Sequence, residues 1–222
     1  MAIERATIRP FSYTQRLRDI DMFFQGKDPV HQTMRRAARR LERVGIPYAV
    51  VGGMAVNAHR YSRTTGDVDL LLTEAGFNDF CARFVGKNYS RVPDRPFRLV
   101  DRTSHITVDI LVTGLFPGSG DPGPIAYPDP DAVSEIIDKI RVLNLEALIQ
   151  LKLAARRYKD FGDVVELIRS NDLDESFAEG LHASVRGDYI ECLEEKRRED
   201  LYEARRTWPP KHQSRTTEEE ES

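Results

Sequence analysis

Three carboxylates and a glycine pair carry the chemistry that the residues spell out. Asp67 and Asp69 alternate with Val68 and Leu70 in Gly66-Asp67-Val68-Asp69-Leu70-Leu71-Leu72, a run of strand character. Alternate residues of a strand point to the same face, so the two carboxylates project side by side. They repel unless something positive lies between them. A hard divalent cation suits that place, because Mg²⁺ favours carboxylate oxygens and completes its shell with waters and substrate phosphates. Asp109 sits mid-strand in Ile106-Thr107-Val108-Asp109-Ile110-Leu111-Val112, where a carboxylate is costly unless it is paired or ligates a metal. Asp101 rivals it as a third ligand, but its stretch is less apolar and ends there. Ahead of Asp67 by thirteen residues, Val50-Val51 runs into Gly52-Gly53. Such a pair lets backbone approach a ligand without a Cβ in the way, and a helix that follows offers free N–H groups to phosphate. In a two-metal phosphoryl transfer the cations lie about 3.5 to 4 Å apart, one at the attacking hydroxyl and one at the leaving pyrophosphate. Three carboxylates are about what that pair requires.

The elements that must position these groups follow from periodicity. Ile46 to Val51 is a short apolar strand, residues 54 to 60 a short helix, and 67 to 73 the second strand. Before them Val30, Met34, Ala37, Leu41 and Val44 recur at helical spacing, with Arg35, Arg36, Arg39, Arg40 and Arg43 on the other positions and Gly45 at the end. That amphipathic helix is read as a solvated basic face, with RNA binding as the alternative. Ala75 to Lys87 reads as a helix, and Phe97 to Asp101 and His105 to Val112 as strands joined by Arg102-Thr103-Ser104. Residues 113 to 131 are dense in glycine and proline and read as a loop, a link between lobes and a wall on the substrate side. Ile140 to Leu143 adds a short strand, Leu145 to Tyr158 a strong helix, and Asp163 to about Ser170 another. Lys152, Arg156 and Lys159 then lie at i, i+4 and i+7, a row of cations able to neutralise a triphosphate, with Lys152 set among apolar neighbours. Asp163, and Asp160 near it, cap the second helix or position Lys152 and the nucleotide base; a support role in nucleotide binding is preferred for Asp163.

The expected organisation is an N-terminal arm (1–29), an α/β core with a small mixed sheet (30–131), a helical lobe (132–207) and a disordered tail (208–222). A length of 222 residues is enough to bury a sizeable core, and a formal net charge of −3 gives no global attraction to nucleic acid or to an acidic membrane. Cys81 and Cys192 show neither a disulfide framework nor zinc spacing. With no apolar run of membrane length and no signal peptide, a cytoplasmic protein is expected. His59 and His105 lie near the site, but imidazole is not a usual Mg²⁺ ligand, so packing or hydrogen bonding is assigned to them.

Together, Val51-Gly52-Gly53, Asp67-Val68-Asp69 and Asp109 resemble the signature of the nucleotidyltransferase superfamily related to DNA polymerase beta. The stretch from Leu148 through Lys152, Arg156, Tyr158, Asp160 and Asp163 to Val164 is similar to the branch that holds the AbiEii-type abortive-infection toxins, and the resemblance spans residues 30 to 170. It implies a Mg²⁺-dependent nucleotidyltransferase, with two ions and Mn²⁺ as an alternative. Asp67 and Asp69 would ligate the metal, Asp109 would be the third ligand and help activate the acceptor hydroxyl, Gly52 and Gly53 would contact the triphosphate of an NTP, and Arg63 and Thr65 would lie by the phosphates. The acceptor would be a tRNA or a small molecule such as an antibiotic, and a toxin would have an antitoxin partner. A non-catalytic nucleotide or RNA binder on the same scaffold is the competing reading. Retention of the three carboxylates and Lys152 argues against it.

Overall fold

The computed structural model describes residues 13–206. It opens with helix α1 (Tyr13–Phe24), where the sequence reading expected an irregular arm; the rest of that arm, residues 1–12, and the tail from 208 lie outside the described residues. Asp28 starts α2 (Pro29–Val44) by accepting the N–H groups of Val30 and His31, and Pro29 supplies a preset φ at the first position. Val30, Met34, Ala37 and Leu41 are buried along this helix, and Gly45 ends it at φ 70°. Then come β1 (Tyr48–Val51), α3 (Gly52–Ala58), β2 (Asp67–Leu72) and α4 (Glu74–Phe84), the last capped by the Thr73 hydroxyl. Strands β3 (Tyr89–Val92), β4 (Arg95–Asp101) and β5 (Thr107–Val112) follow. Past the glycine- and proline-rich loop, a single turn α5 (Pro130–Val133) leads to the hairpin β6 (Ser134–Ile137) and β7 (Ile140–Leu143). The chain ends in α6 (Leu145–Ala155), α7 (Tyr158–Ser170), a 3-10 turn at Glu175–Glu179 and α8 (Ala183–Arg206).

All strands join one seven-stranded mixed sheet in the order β3-β4-β5-β2-β1-β7-β6. The central strands are the most apolar: Val50, Val68, Leu70, Leu71 and Leu72 are wholly buried, each contributing on the order of 2 kcal/mol by leaving water. Helix α2 packs on β1, β2 and β7, while α6, α7 and α8 pack on one another. The sheet is larger than the sequence reading expected. Residues 134–143 belong to it, so the helical part begins at Leu145 rather than at 132. The hairpin there turns on Asp138 and Lys139, at φ 49° and 66°; a two-residue turn of this kind usually advertises itself with Asn-Gly or Asp-Gly, and this one does not.

The basic helix proves to be partly inward-facing. Asp101, fully buried, accepts the backbone N–H groups of Thr103 and Ser104 and bonds from Arg36 at 3.2 Å and Arg40 at 3.5 Å. Arg40 also donates to the Tyr89 hydroxyl and stacks over its ring. Asp101 is thus a structural anchor that ties α2 to the β4–β5 turn, not a third metal ligand. Burial opposes its ionisation, but the N–H bonds from Ser104 and Thr103 and the Arg36 charge outweigh that and hold its carboxyl below the usual carboxylate range.

A carboxyl held low contributes stability above the ordinary pKa near 4 and loses that contribution as pH falls through the lowered value. Asp101→Asn should therefore cost about 2 kcal/mol at pH 7, because the two arginines lose their partner, and should flatten the acid limb of stability against pH. Urea unfolding at pH 7 and pH 3 reads both effects.

Candidate active site

Strand register builds the carboxylate cluster. β2 and β5 run parallel with Asp69 level with Asp109 and Asp67 level with Thr107. On the outer side of β5, antiparallel β4 sets Arg98 level with Asp109, and on the inner side of β2, β1 sets Val51 level with Asp69. Cross-strand partners share a face of the sheet, so Arg98, Asp109 and Asp69 form one row and Asp67 lies two residues along from Asp69. The carboxylates of Asp67, Asp69 and Asp109 offer oxygens all within 4.8 Å of one another. The expected trio is brought together.

The glycine pair makes room for it. Gly52 sits at φ 62°, and a Cβ there would land on the Asp69 carboxylate. At Gly53 a Cβ would come within 2.7 Å of Thr65 Oγ1, and that hydroxyl donates to Asp67 Oδ1 at 2.8 Å. Thr65 thus orients the first carboxylate from beneath the glycine turn. Together these residues line a cleft of about 260 Å³ that also takes in Lys152, Arg157 and Lys159.

Lys152 enters this cleft as part of a network rather than as a lone cation. It is buried on α6 and donates to Asp160 Oδ1 at 3.0 Å and to Asp163 Oδ2 at 2.6 Å. Arg157 pairs with the other oxygen of Asp160 at 2.5 Å. Arg63 grips Asp163, with Nη2 donating at 2.8 Å and Nε 2.6 Å from Oδ1. The result is an alternating chain of charges, Arg157, Asp160, Lys152, Asp163 and Arg63, running from α7 to the segment before β2. An ammonium carries three donors, so one N–H of Lys152 stays uncommitted to these two aspartates.

The row of cations expected along one helix is not formed. Arg156, at φ 52°, ends α6, and α7 starts two residues later, so Lys152 and Lys159 belong to different helices. Arg156 turns to Asp188 at 3.0 Å and lines a separate groove between α7 and α8. Because α7 starts at Tyr158, Asp160 lies in its first turn and neither Asp160 nor Asp163 is its N-cap, which is Arg157. His59 is buried with Nε2 2.7 Å from the Leu143 carbonyl, and His105 is exposed in the β4–β5 turn at φ 60°. Cys81 is only partly buried, against the edge of the core.

Two groups at the site were not singled out from sequence. Arg98 forks onto Asp109, Nε to Oδ1 and Nη2 to Oδ2, each at 2.7 Å. The expected three-residue turn, Arg102-Thr103-Ser104, would have set Arg98 level with Val108; the register actually formed is one residue away and sets it level with Asp109. Tyr127, from the proline-rich loop, is half-buried over the cleft, and burial raises its hydroxyl pKa. No periodicity marks a residue delivered by such a loop.

The electrostatics favour a cation. Asp69 is pushed up to about 7, first by burial and then by Asp67 and Asp109, with Lys152 and Lys159 acting against the shift. Three clustered carboxylates, one of them starved of positive charge, make a ligand set that a hard divalent ion fits.

The sequence matches no protein-family model and no curated protein. Among solved structures, the chain overlays on an antigenic nucleotidyltransferase-like protein from Paracoccidioides brasiliensis at 16% identity, with 78% of this chain and 90% of that one covered and a TM-score of 0.47. ANT(2'')-Ia in complex with adenylyl-2''-tobramycin overlays at 17% identity, 75% and 91% coverage and a TM-score of 0.36. JHP933 from Helicobacter pylori gives 14% identity, 68% and 70% coverage and a TM-score of 0.41. Overlays this loose carry no information about substrate. Among the described residues no helix is long and apolar enough to cross a membrane.

Lys152→Ala would leave Asp160 and Asp163 buried with only their arginine partners, and should destabilise the protein by about 3 kcal/mol. Arg156→Ala, on an exposed pair, should cost less than about 1 kcal/mol. Paired urea titrations of the two variants check this contrast.

Proposed function

We propose that this protein is a nucleotidyltransferase that moves a nucleoside monophosphate from an NTP to a hydroxyl acceptor and releases pyrophosphate. The observation that carries the reading is the convergence of Asp67, Asp69 and Asp109 beside the Gly52-Gly53 turn, with Lys152 in the same cleft. Asp67, Asp69 and Asp109 would hold Mg²⁺, most simply two ions, which when bound supply charge neutralisation for the triphosphate and a Lewis acid for the reacting oxygens. The acceptor oxygen attacks the α-phosphorus, the bond to the bridging oxygen of the pyrophosphate breaks, and the hydroxyl proton passes to a carboxylate at Asp109. Gly52 and Gly53 give the phosphates a wall without side chains. Negative charge that builds on the leaving group meets Lys152 and Lys159, which line the cleft. Arg63 and Thr65 act behind the site: one holds Asp163 against Lys152, the other aims Asp67.

Within this reading the acceptor is a hydroxyl of a tRNA or of a small molecule such as an antibiotic, and in the first case the protein fits a toxin with an antitoxin partner in the cytoplasm. Expression alone separates the two: a toxin arrests growth, a modifying enzyme protects against its drug.

Mg²⁺ with NTP should raise the melting temperature, since ligand at a hundred times its Kd adds about 2.7 kcal/mol to the folded state. Asp67→Asn and Asp69→Asn should each abolish that rise and lower transfer from α-labelled NTP by at least about a hundredfold. Full retention of both in either variant would remove the metal site from the reading.

A further inference from the structure

A second cleft, of about 620 Å³, shares Gly52, Asp69, Arg98, Asp109, Tyr127 and Arg157 with the first, and Lys152 does not line it. Its walls differ in character. The loop after β5 supplies Leu115, Phe116 and Tyr127, while β4 supplies Arg95, Phe97 and Arg98. Leu115 is 42% exposed at the rim, while the Phe97 ring packs on Phe77 with centroids 5.4 Å apart. The loop wall is firmly built. Gly114 donates to the Tyr127 carbonyl and Tyr127 to the Leu115 carbonyl, Thr113 bonds the Leu72 and Pro128 carbonyls, and Gly118 packs so closely on Ala155 that a Cβ would come within 2.9 Å of its carbonyl oxygen. The carboxylates thus stand where two clefts join. Gly53 and the lysines line only the first, Leu115, Phe116 and Arg95 only the second, and Arg98 and Arg157 line both.

Charge says what the second side accepts. Apart from the cluster itself, the ionic groups lining it are Arg95, Arg98, Arg157 and one carboxylate, Asp94. Arg157 is engaged by Asp160, but Arg98 is engaged by Asp109 itself, through both oxygens. Each oxygen keeps a lone pair for a cation, but a dication at Asp109 would repel the guanidinium and draw on the same carboxylate charge, so Arg98 and the cation compete for Asp109. The Arg98 side chain is 45% exposed.

Resting on the nucleotidyl-transfer reading above, we propose that Arg98, displaced from Asp109 when that carboxylate ligates metal, joins Arg95 as the anion-binding end of the acceptor cleft. The acceptor then carries a phosphate or carboxylate near its reacting hydroxyl and an apolar or ring portion that lies on Leu115 and Phe116. A polycationic acceptor meets like charge here. Binding acquires an order, because the acceptor's anion finds Arg98 only after Asp109 has changed partners.

The test uses the full-length protein and two variants of exposed residues, Arg98→Gln and Arg95→Gln. Melting temperature is followed against Mg²⁺ alone. Arg98→Gln should lower the Mg²⁺ midpoint by about threefold, the scale of an exposed ion pair removed from competition, while Arg95→Gln leaves it in place. Next, with Mg²⁺ and a non-hydrolysable NTP analogue present, phenyl phosphate, benzyl alcohol and benzylamine are titrated. Phenyl phosphate should bind best of the three, and each variant should weaken it by about tenfold, as for a lost charge-assisted contact, with benzyl alcohol unaffected. Transfer of label to glycerol 3-phosphate or to a short oligoribonucleotide with a free 3′-hydroxyl supports the assignment and tells which source supplies the phosphate. Transfer to an aminoglycoside, benzylamine binding as well as phenyl phosphate, or an unchanged or raised Mg²⁺ midpoint in Arg98→Gln overturns it. If Mg²⁺ and NTP leave the melting temperature of the unaltered protein unmoved, the nucleotidyl-transfer reading itself falls. If they raise it while both variants behave as the parent, only the acceptor assignment falls.

Discussion

Two carboxylates held level by a parallel strand pair, Asp69 and Asp109, create the demand that the rest of the site answers. Water would keep such groups apart. The ladder between β2 and β5 does not, because each residue's position is set by backbone bonds along a strand pair anchored by the buried apolar Val68, Leu70, Leu71, Leu72, Val108, Ile110 and Val112. Sheet register, stabilised by the core, enforces a like-charge contact that no local interaction would choose. Each neighbour then relieves it in its own way. Gly52 leaves the space beside Asp69 free of side chain, Thr65 donates to Asp67, and Arg98 takes both oxygens of Asp109. Asp69, whose carboxyl is pushed up to about 7 by burial and by Asp67 and Asp109, marks where positive charge is still wanted.

Stability and chemistry draw on different parts of the chain. The apolar sheet and its helices provide the free energy of folding, and the buried ion chain around Lys152 adds position more than strength, since desolvation cancels much of what such pairs gain. What it fixes is the height of an ammonium above the carboxylates. A lysine free to swing would be a poor partner for phosphate charge. Flanked by Asp160 and Asp163, each in turn held by an arginine, its ammonium is tethered from two sides.

Much of this was legible in the residues, and the parts that were not share a cause. Strand alternation places Asp67 and Asp69 on one face, and an acid in mid-strand singles out Asp109, because both signals depend only on period and polarity. The order of strands was not readable in that way, nor was the hairpin at Asp138-Lys139, whose turn uses residues that seldom take positive φ. The helix break at Arg156 was missed for the same reason, as one residue in the left-handed region separates Lys152 from Lys159 without glycine or proline to announce it. Asp101 shows the opposite difficulty. Its type and its strand position suit a metal ligand as well as an anchor, and only the arrival of Arg36 and Arg40 from a distant helix decides between them.

The ion chain from Arg157 to Arg63 has a mechanical side. It clamps α7 to the segment that leads into β2, with Lys152 of α6 as its middle member, so the sheet and the helical part are riveted across the mouth of the first cleft. Opening them like a jaw would break several desolvated contacts at once. Under the proposed transfer, entry to the site would therefore rest on exposed rim side chains such as Arg98 rather than on a hinge between sheet and helices.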